Sequence, residues 1–392
     1  MESIKYLCIP TATLLLQREQ INLSGGTMLE IRRGTIIKEL FARKGIKGFL
    51  VRTEAGEARC IAYPDLSGDI NPGDEVLLNT TAVSLNLGSG GYHYVIANLN
   101  STGKEMPPGG HIMKMRYTPL QIKTLSVEEE DSPHRQVMMQ ADSLDRIPVL
   151  VATLHSMVAP LALYLQRQGF RQAYVMTDGA ALPLAFSQTV DYLKRENILA
   201  GTVTIGHAFG GDLEAVNVYS GLLAARKVLQ ADIIIVSMGP GIVGTGTRWG
   251  FTGIEQGQIL NAVYSLGGIP VAVPRISFAD SRTRHRGISH HSLTVLSRVC
   301  LVEAVVPLPD LPADKMAYIL GQLQARELME KHNICLEDNP VMLDILADSG
   351  MKHSTMGRGI DEEREFFLTL GSAARAAEKL SRQEPLNRIH AV

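Results

Sequence analysis

The segment from Ser277 to Ser292 contains the densest group of side chains that could bind an anion. Arg282, Arg284 and Arg286 lie close together in the chain, and His285 stands among them. So much positive charge is costly to place together unless an anionic ligand or an acidic partner compensates it, and the planar arginine fork suits phosphate or carboxylate. The alternative is a solvated surface loop or an intersubunit cluster of ion pairs.

Two further histidines follow this arginine segment. Ser289 is a typical N-cap residue, so we predict that His290 and His291 occupy the first turn of a helix. The positive end of a helix disfavours a charged imidazole, which leaves a neutral histidine able to act as a base or as a ligand. We expect His290 to polarise the substrate or to take a second acid–base role.

Four other titratable residues come at the ends of apolar runs, namely His155, Asp178, His207 and Asp212. Such residues could form general acid–base pairs or ligate a divalent metal. We assign proton transfer to His207 with Asp178 or Asp212. A divalent metal is compatible with this set, although no short metal-binding motif indicates one. Asp212 could equally cap a helix predicted to begin at Leu213.

A glycine-rich loop follows the fourth apolar run and could hold an anion through its backbone amides. The residues assigned to substrate binding here are Gly239, Gly241, Gly244, Thr245, Thr247 and Arg248. The glycine spacing is that of a dinucleotide loop, but Pro240 removes a backbone donor and no helix begins within the motif, which argues against NAD(P). A P-loop is excluded because threonine stands where lysine is required. The alternative is a tight turn that needs small residues.

Apolar runs separated by helical patterns must position these residues. The runs cover 149–154, 173–176, 202–205, 232–238, 269–275 and 301–307. The predicted helices cover 157–168, 181–196, 213–229, 254–266, 289–299, 315–331, 341–347 and 361–380. This alternation predicts a doubly wound α/β fold with a mostly parallel sheet. Because the carboxyl ends of parallel strands share one edge, we expect the candidate residues to converge on one crevice there.

Residues 28–125 have a different character from the rest of the chain. Short β-type runs with turn signals such as Asn71-Pro72-Gly73-Asp74 predict a small β-barrel or sandwich of SH3-like or OB-like size. We assign 126–392 to the α/β domain, whose C-terminal helices could cover the sheet or bridge to a second subunit. Residues 1–27 are expected to be a non-native or disordered extension, with translation beginning at Met28.

The composition excludes several classes of protein. The chain has 392 residues and a formal net charge of −2, so no overall field favours nucleic acid or an anionic membrane. Its four cysteines are scattered, without disulfide or metal spacing, which fits a reducing cytoplasm. We find no apolar stretch of transmembrane length.

Several of these motifs resemble an uncharacterised bacterial family, the domain of unknown function 3866 (DUF3866). The matching stretches are 154–157, 175–180, 206–217, 238–248, 284–291 and 356–359. The resemblance covers nearly everything from Met28 onward. It implies membership of the family but supplies no activity, substrate or catalytic residue.

Together the residues favour a cytoplasmic enzyme that carries out group transfer or hydrolysis on a small substrate bearing a phosphate or a carboxylate. The competing interpretation is a non-catalytic sensor or assembly protein that binds a nucleotide-like anion, with the barrel contacting a partner. Single-stranded nucleic-acid binding by the barrel is the least favoured, because the near-neutral balance of charged residues gives no field that attracts nucleic acid.

Overall fold

A computed structural model describes residues 28–88, 90–101 and 105–389. The extension expected over residues 1–27 lies outside the described residues. The N-terminal elements are β1 (Ile31–Arg43), β2 (Ile46–Thr53), β3 (Gly56–Ala62), α1 (Pro64–Ser67), β4 (Glu75–Asn79), α2 (Thr81–Ser84), β5 (Tyr92–Asn98), β6 (Ile112–Lys114), β7 (Ile122–Thr124) and α3 (Arg135–Gln140).

The first five of these strands form a closed barrel in the order β1-β2-β3-β5-β4. Strands β3 and β5 pair in parallel, and β1 closes the barrel against β4. This is the strand order of an OB fold, so the predicted small barrel is confirmed. Alternate residues of the strands point inward, and Phe49, Val51, Val76 and Leu78 are fully buried among them.

One outer face of the barrel packs on the α/β domain. Ile46, Ile61 and Tyr63 form a separate buried cluster, and Ala185 and Phe186 from the α/β domain pack against it. Strands β2 and β3 supply the face that OB folds use for oligonucleotides. Here that face is at least partly covered by the rest of the chain.

The α/β part follows. Its elements are β8 (Pro148–Val151), α4 (Val158–Arg167), β9 (Gln172–Thr177), α5 (Gln188–Arg195), β10 (Gly201–Thr204), β11 (Leu213–Glu214), α6 (Val218–Lys227), β12 (Ile233–Met238), α7 (Glu255–Ser265), β13 (Ile269–Ala272), β14 (Ile276–Ser277), β15 (Gly287–Ile288), α8 (His290–Thr294), β16 (Val305–Leu308), α9 (Ala313–Gln324), α10 (Leu328–Lys331), β17 (Asn333–Leu336), α11 (Val341–Asp348) and α12 (Arg364–Ser381).

Within the described residues, eight strands form one sheet in the order β11-β10-β9-β12-β8-β13-β16-β17. Every pairing in it is parallel. Strands β9 and β12 are buried along their whole length, because helices cover both faces of the sheet. Ile233 and Ile235 pack with α4 and α12, whereas Ile234 and Val236 pack with α6 and α7. The predicted α/β fold with a parallel sheet is confirmed.

The strand order creates a crevice at the centre of the sheet. The chain leaves β8 through α4 on one face and reaches β9, and it leaves β12 through α7 on the other face and reaches β13. The helices that follow neighbouring strands thus lie on opposite faces of the sheet, which separates the loops at the carboxyl ends of those strands. Ligands bind at this point in open α/β sheets. The carboxyl ends of β8, β12 and β13 therefore surround the expected binding position.

Several predicted boundaries were wrong. The helix predicted from Leu213 begins at Val218, because Asn217 caps it and accepts hydrogen bonds from the backbone amides of Tyr219 and Ser220. Residues 213–214 instead form the edge strand β11. The helix predicted over 181–196 begins only at Gln188.

Other elements were not predicted at all. These are β17, the hairpin β6–β7 and the short pair β14–β15. Among the helices that the structure describes, none has the length and apolar content needed to cross a lipid bilayer.

Candidate functional site

A cavity of about 210 Å³ opens at the carboxyl ends of β8, β12 and β13. We call it the arginine–histidine pocket. The side chains and backbone that line it include Thr153, Leu154, Ile242, Gly244, Gly246, Arg275, Arg282, Arg284, His285, Ser289, His291 and Met356. Residues from after three different strands therefore meet here, as the parallel sheet requires.

Asp280 organises two of the arginines of the pocket. Its carboxylate is buried and accepts hydrogen bonds from Arg275 at 3.0 Å and from Arg282 at 2.8 Å, while Arg358 lies 3.6 Å away. The hydrogen bonds from Arg282 and then Arg275 hold the pKa of Asp280 far below its usual range, although burial acts in the opposite direction. Arg358 is also paired with Glu363.

Arg284 differs from Arg275 and Arg282, which Asp280 holds in place. It lines the pocket and is exposed, yet it makes no hydrogen bond or ion pair to any residue in the described ranges. Its Nη2 lies 3.8 Å from the position that a Cβ at Gly246 would take, and Gly246 has a φ of +79°, which favours glycine. Positive charge is in excess among the described residues around the pocket, because four guanidinium groups are balanced by only two carboxylates. The guanidinium groups are those of Arg275, Arg282, Arg284 and Arg358, and the carboxylates are those of Asp280 and Glu363. The pocket is thus suited to an anion.

Three histidines cluster beside the arginines. One ring nitrogen each of His285, His290 and His291 lies within 4.8 Å of the others. His285 Nδ1 is 2.8 Å from the hydroxyl of Ser289, and the ring of His291 stacks on Phe251 with centroids 4.0 Å apart. His290 Nε2 is buried and has no hydrogen-bond partner among the residues described.

The environment keeps these histidines neutral. Burial lowers the pKa of His285 to about 3, and the charges of Arg275 and Arg282 add to that effect. Burial also lowers the pKa of His291 to about 4 and shifts that of His290 downward. The sequence led us to expect neutral histidines because of a helix dipole. The helix does begin at His290 and continues after α8 as a π-helix over Val295–Val299, but burial, with nearby arginines adding to it, is the main cause of the lowered pKa values.

His207 and Asp178 come together but do not line the pocket. Asp178 Oδ2 accepts a hydrogen bond of 2.8 Å from the backbone amide of His207. His207 Nδ1 accepts one of 3.0 Å from the backbone amide of Met115, which holds the β6–β7 hairpin against the sheet. Both residues follow β9 and β10, on the other side of β12 from the pocket. The hydrogen bonds that their side chains make among the described residues are to backbone amides.

Asp212 lies apart from every other candidate. Its carboxylate accepts hydrogen bonds from both the backbone amide and the hydroxyl of Thr202, and it pairs with Lys194. Thr202 stands near the beginning of β10, so Asp212 is at the opposite end of that strand from its carboxyl edge. Asp212 was expected either to share a crevice with His207 or to cap the next helix. The structure supports neither placement, because the loop after β10 turns back to form β11 and Asn217 caps the helix.

His155 lies at a second cavity, of about 330 Å³, between the barrel and the sheet. Its Nε2 is 2.7 Å from the hydroxyl of Ser187 and its Nδ1 is 3.2 Å from that of Tyr174. Burial lowers its pKa to about 4. Phe41 and Tyr92 of the barrel line the same cavity. The single crevice expected from the sequence is therefore divided between two cavities.

The glycine-rich loop contributes only part of what was assigned to it. Gly244 and Gly246 line the pocket, whereas the hydroxyls of Thr245 and Thr247 bond to each other at 2.9 Å. Three further assigned residues, Gly239, Gly241 and Arg248, are absent from the lining formed by the described residues. A Cβ at Gly239 would come within 2.5 Å of the backbone carbonyl oxygen of Ala181, so glycine is needed there for packing.

Arg286 also departs from its assignment. Its guanidinium lies over the rings of Phe278, at 5.3 Å, and Tyr318, at 6.0 Å. It does not belong to the described lining of the pocket. These contacts make Arg286 a packing residue of the same segment.

Glu255 was not predicted as a candidate residue. Burial raises its pKa to about 7, and Thr177 donates a hydrogen bond of 2.6 Å to its Oε1. Asp178 lies close enough to raise the pKa further. An acidic residue in the first turn of a helix is ordinarily explained by the helix dipole, so only the observed burial distinguishes this one.

The fold is an OB-type barrel joined to a parallel α/β domain, with the arginine–histidine pocket at the carboxyl ends of three of its strands. Residues 59–374 match the family described as protein of unknown function (DUF3866). The chain therefore belongs to the DUF3866 family. The match begins within β3, so it is narrower than the extent expected from Met28 onward. A comparison with curated proteins finds no match.

Proposed function

We propose that this protein is an enzyme that binds a small substrate through a phosphate or carboxylate in the arginine–histidine pocket and carries out hydrolysis or group transfer. The observation that carries the proposal is Arg284, an arginine without a partner among the described residues, beside a cluster of neutral histidines. A guanidinium group binds a phosphate or a carboxylate through charge-assisted hydrogen bonds.

The pocket supports a division of roles. Arg284 faces the anion, and the backbone at Gly246 lies beside its guanidinium. Arg275 and Arg282 are fixed by Asp280, so they supply positive potential without having to move. Neutral imidazoles then offer lone pairs, which can accept a proton from an attacking hydroxyl group or hold a metal ion that activates it.

The volume supports a small anionic group as the ligand. Ligand pockets for drug-sized molecules usually enclose about 300–1,000 Å³. The arginine–histidine pocket, at about 210 Å³, is smaller than that range. A phosphate or carboxylate fits inside it, while the remainder of a larger substrate extends toward solvent.

The second candidate is a sensor that binds the anion without changing it. It is favoured by the positions of His207 and Asp178, which were assigned proton transfer but form structural hydrogen bonds outside the pocket. The cytoplasmic location remains part of the proposal and is supported by Cys60, Cys300 and Cys335, which are buried free thiols.

A ligand screen tests the proposal and separates the two candidates. The full chain is heated with inorganic phosphate, pyrophosphate, nucleotides, sugar phosphates and dicarboxylates, and the melting temperature is recorded. We expect at least one phosphate or carboxylate class to raise it in proportion to the logarithm of concentration. Each stabilising compound is then incubated with the protein and analysed by mass spectrometry. Conversion supports the enzyme, recovery of the unchanged compound supports the sensor, and no stabilisation by any anion contradicts both.

A further inference from the structure

We propose that His285, His290 and His291 bind a divalent transition metal of the zinc type at the wall of the arginine–histidine pocket. The inference deepens the proposed function and rests on it for the anion that would complete the coordination. Of the two roles that neutral imidazoles could have in the pocket, proton acceptance and metal binding, the inference assigns metal binding.

The spacing of the three rings fits a shared ion after a small adjustment. Their nitrogens lie within 4.8 Å of one another, and the centroids of His290 and His291 are 4.1 Å apart. In a tetrahedral site, two nitrogens that each lie about 2.1 Å from a zinc ion are about 3.4 Å apart. Side-chain rotations that move each of the three nitrogens by less than about 1 Å would bring them to this separation.

The hydrogen bond to His285 is of the kind that orients a metal ligand. Its Nδ1 is 2.8 Å from Ser289 Oγ. The same hydroxyl oxygen accepts a hydrogen bond from the backbone amide of His291. When Nδ1 donates to that oxygen, the lone pair is on Nε2. Metal-bound histidines usually donate their other ring nitrogen in this way, which fixes the tautomer and the ring orientation.

His290 supplies a second and independent observation. Its Nε2 is buried without a hydrogen-bond partner in the described part of the chain. A buried polar atom without a partner is costly, and such atoms call for an explanation such as an ion. A metal shared with the neighbouring histidines would satisfy this nitrogen directly.

The number of histidines favours a metal over a single proton acceptor. One imidazole with an orienting partner is enough for general base catalysis, and three adjacent rings add nothing to it. Three histidines with an open fourth position are a ligand set of catalytic zinc. Imidazole nitrogens suit zinc, copper, nickel and iron and suit magnesium and calcium poorly.

The surrounding charge explains why an anion would be needed. The three ligands are neutral, and Arg275, Arg282 and Arg284 lie nearby, so a bound dication would add to positive charge that is already in excess. Asp280 offsets part of this charge but is occupied by arginines. An anionic substrate that contacts both the metal and Arg284 would balance the site.

Metal content and metal affinity test the inference. The full chain is stripped with a chelator, loaded with Zn²⁺ or Co²⁺, desalted and analysed for metal. We expect about one equivalent per chain, together with the visible absorption of Co²⁺ bound by nitrogen ligands. His290→Ala and the more conservative His290→Gln should each weaken Zn²⁺ binding at least about tenfold. His111→Ala is the matched control, because His111 is exposed and lies outside the pocket.

The outcomes separate this inference from the proposed function. Circular dichroism confirms that each variant is folded, and phosphate binding is measured on the stripped protein and on the loaded protein. Less than about 0.2 equivalents of metal, or equal affinity in the His290 variants and the control, would overturn the metal site even if phosphate still binds. Stoichiometric metal that is lost in the His290 variants supports the site, even if no anion binds and the proposed function fails.

Discussion

Arg284 and Arg286 provide a matched pair of substitutions. They are two positions apart and carry the same charge, but Arg284 lines the arginine–histidine pocket without a partner in the described residues, whereas Arg286 packs on Phe278 and Tyr318. We predict that Arg284→Ala weakens anion binding and leaves stability unchanged, and that Arg286→Ala does the reverse.

The expected magnitudes follow from these contacts. A hydrogen bond to a charged group contributes about 1.5–3 kcal/mol, and because Arg284 is exposed we take about 2 kcal/mol, or about thirtyfold in Kd. Two exposed contacts between a cation and an aromatic ring contribute about 0.5–1 kcal/mol each, so Arg286→Ala should lower the free energy of unfolding by about 1–2 kcal/mol.

Calorimetric titration with the best anion from the ligand screen and urea unfolding measure the two quantities on the same preparations. A similar loss of affinity in both variants would mean that the anion responds only to overall charge. A loss of stability in Arg284→Ala larger than that in Arg286→Ala would mean that Arg284 has a structural role. Either result would refute the assignment of Arg284 to ligand binding.

Three further substitutions test the remaining assignments. Glu255→Gln should match the unmodified protein in its free energy of unfolding near pH 4 and exceed it by up to about 3 kcal/mol above pH 7, measured by urea titration. Burial raises the pKa of Glu255 from an ordinary 4.5 to about 7, so ionisation of this carboxyl destabilises the folded protein as the pH rises through that interval. A constant difference across pH would show that this carboxyl is not perturbed. Asp212→Ala should lower stability by about 2 kcal/mol through the lost hydrogen bonds to Thr202 and leave anion affinity unchanged, whereas a loss of affinity alone would restore its catalytic assignment. Lys114→Met should lower the free energy of unfolding in urea by about 3–5 kcal/mol, because it leaves Glu214 partly buried without its partner. A decrease below about 1 kcal/mol would show that water replaces the ion pair.

The fold could be predicted from the sequence because the strands of a covered parallel sheet are continuous apolar runs. Residues 233–238 form such a run, and their burial on both faces is the physical cause of the pattern. The arginine segment could also be placed at the carboxyl edge of the sheet, because it follows a strand and parallel strands end at a common edge. Both inferences use local information and one general rule of topology.

Strand order could not be predicted in the same way. Strand β12 inserts between β9 and β8, and this choice depends on packing between distant segments. It places Asp178 and His207 on the far side of β12 from the pocket. The two-residue strand β11 is too short to show an alternating hydrophobic pattern, so the position of Asp212 beside Thr202 could not be predicted either.

The raised pKa of Glu255 could not be predicted from the sequence either. It depends on burial, which residues distant in the chain create, and on the proximity of Thr177 and Asp178. Periodicity and capping preferences describe neighbours along the chain only. Perturbed groups at sites are set by tertiary contacts, so they require coordinates.

The ammonium group of Lys114 has a practical consequence for dividing this protein into parts. It is almost completely buried, and it donates to the carbonyl oxygens of Thr204 and Ala208 as well as to Glu214, although it precedes the sheet by more than thirty positions. A fragment that started at residue 126 would keep those three acceptors and lose the cation that joins them. The smallest autonomous piece containing the sheet should therefore start upstream of β6, and the hairpin belongs with the sheet rather than with the barrel.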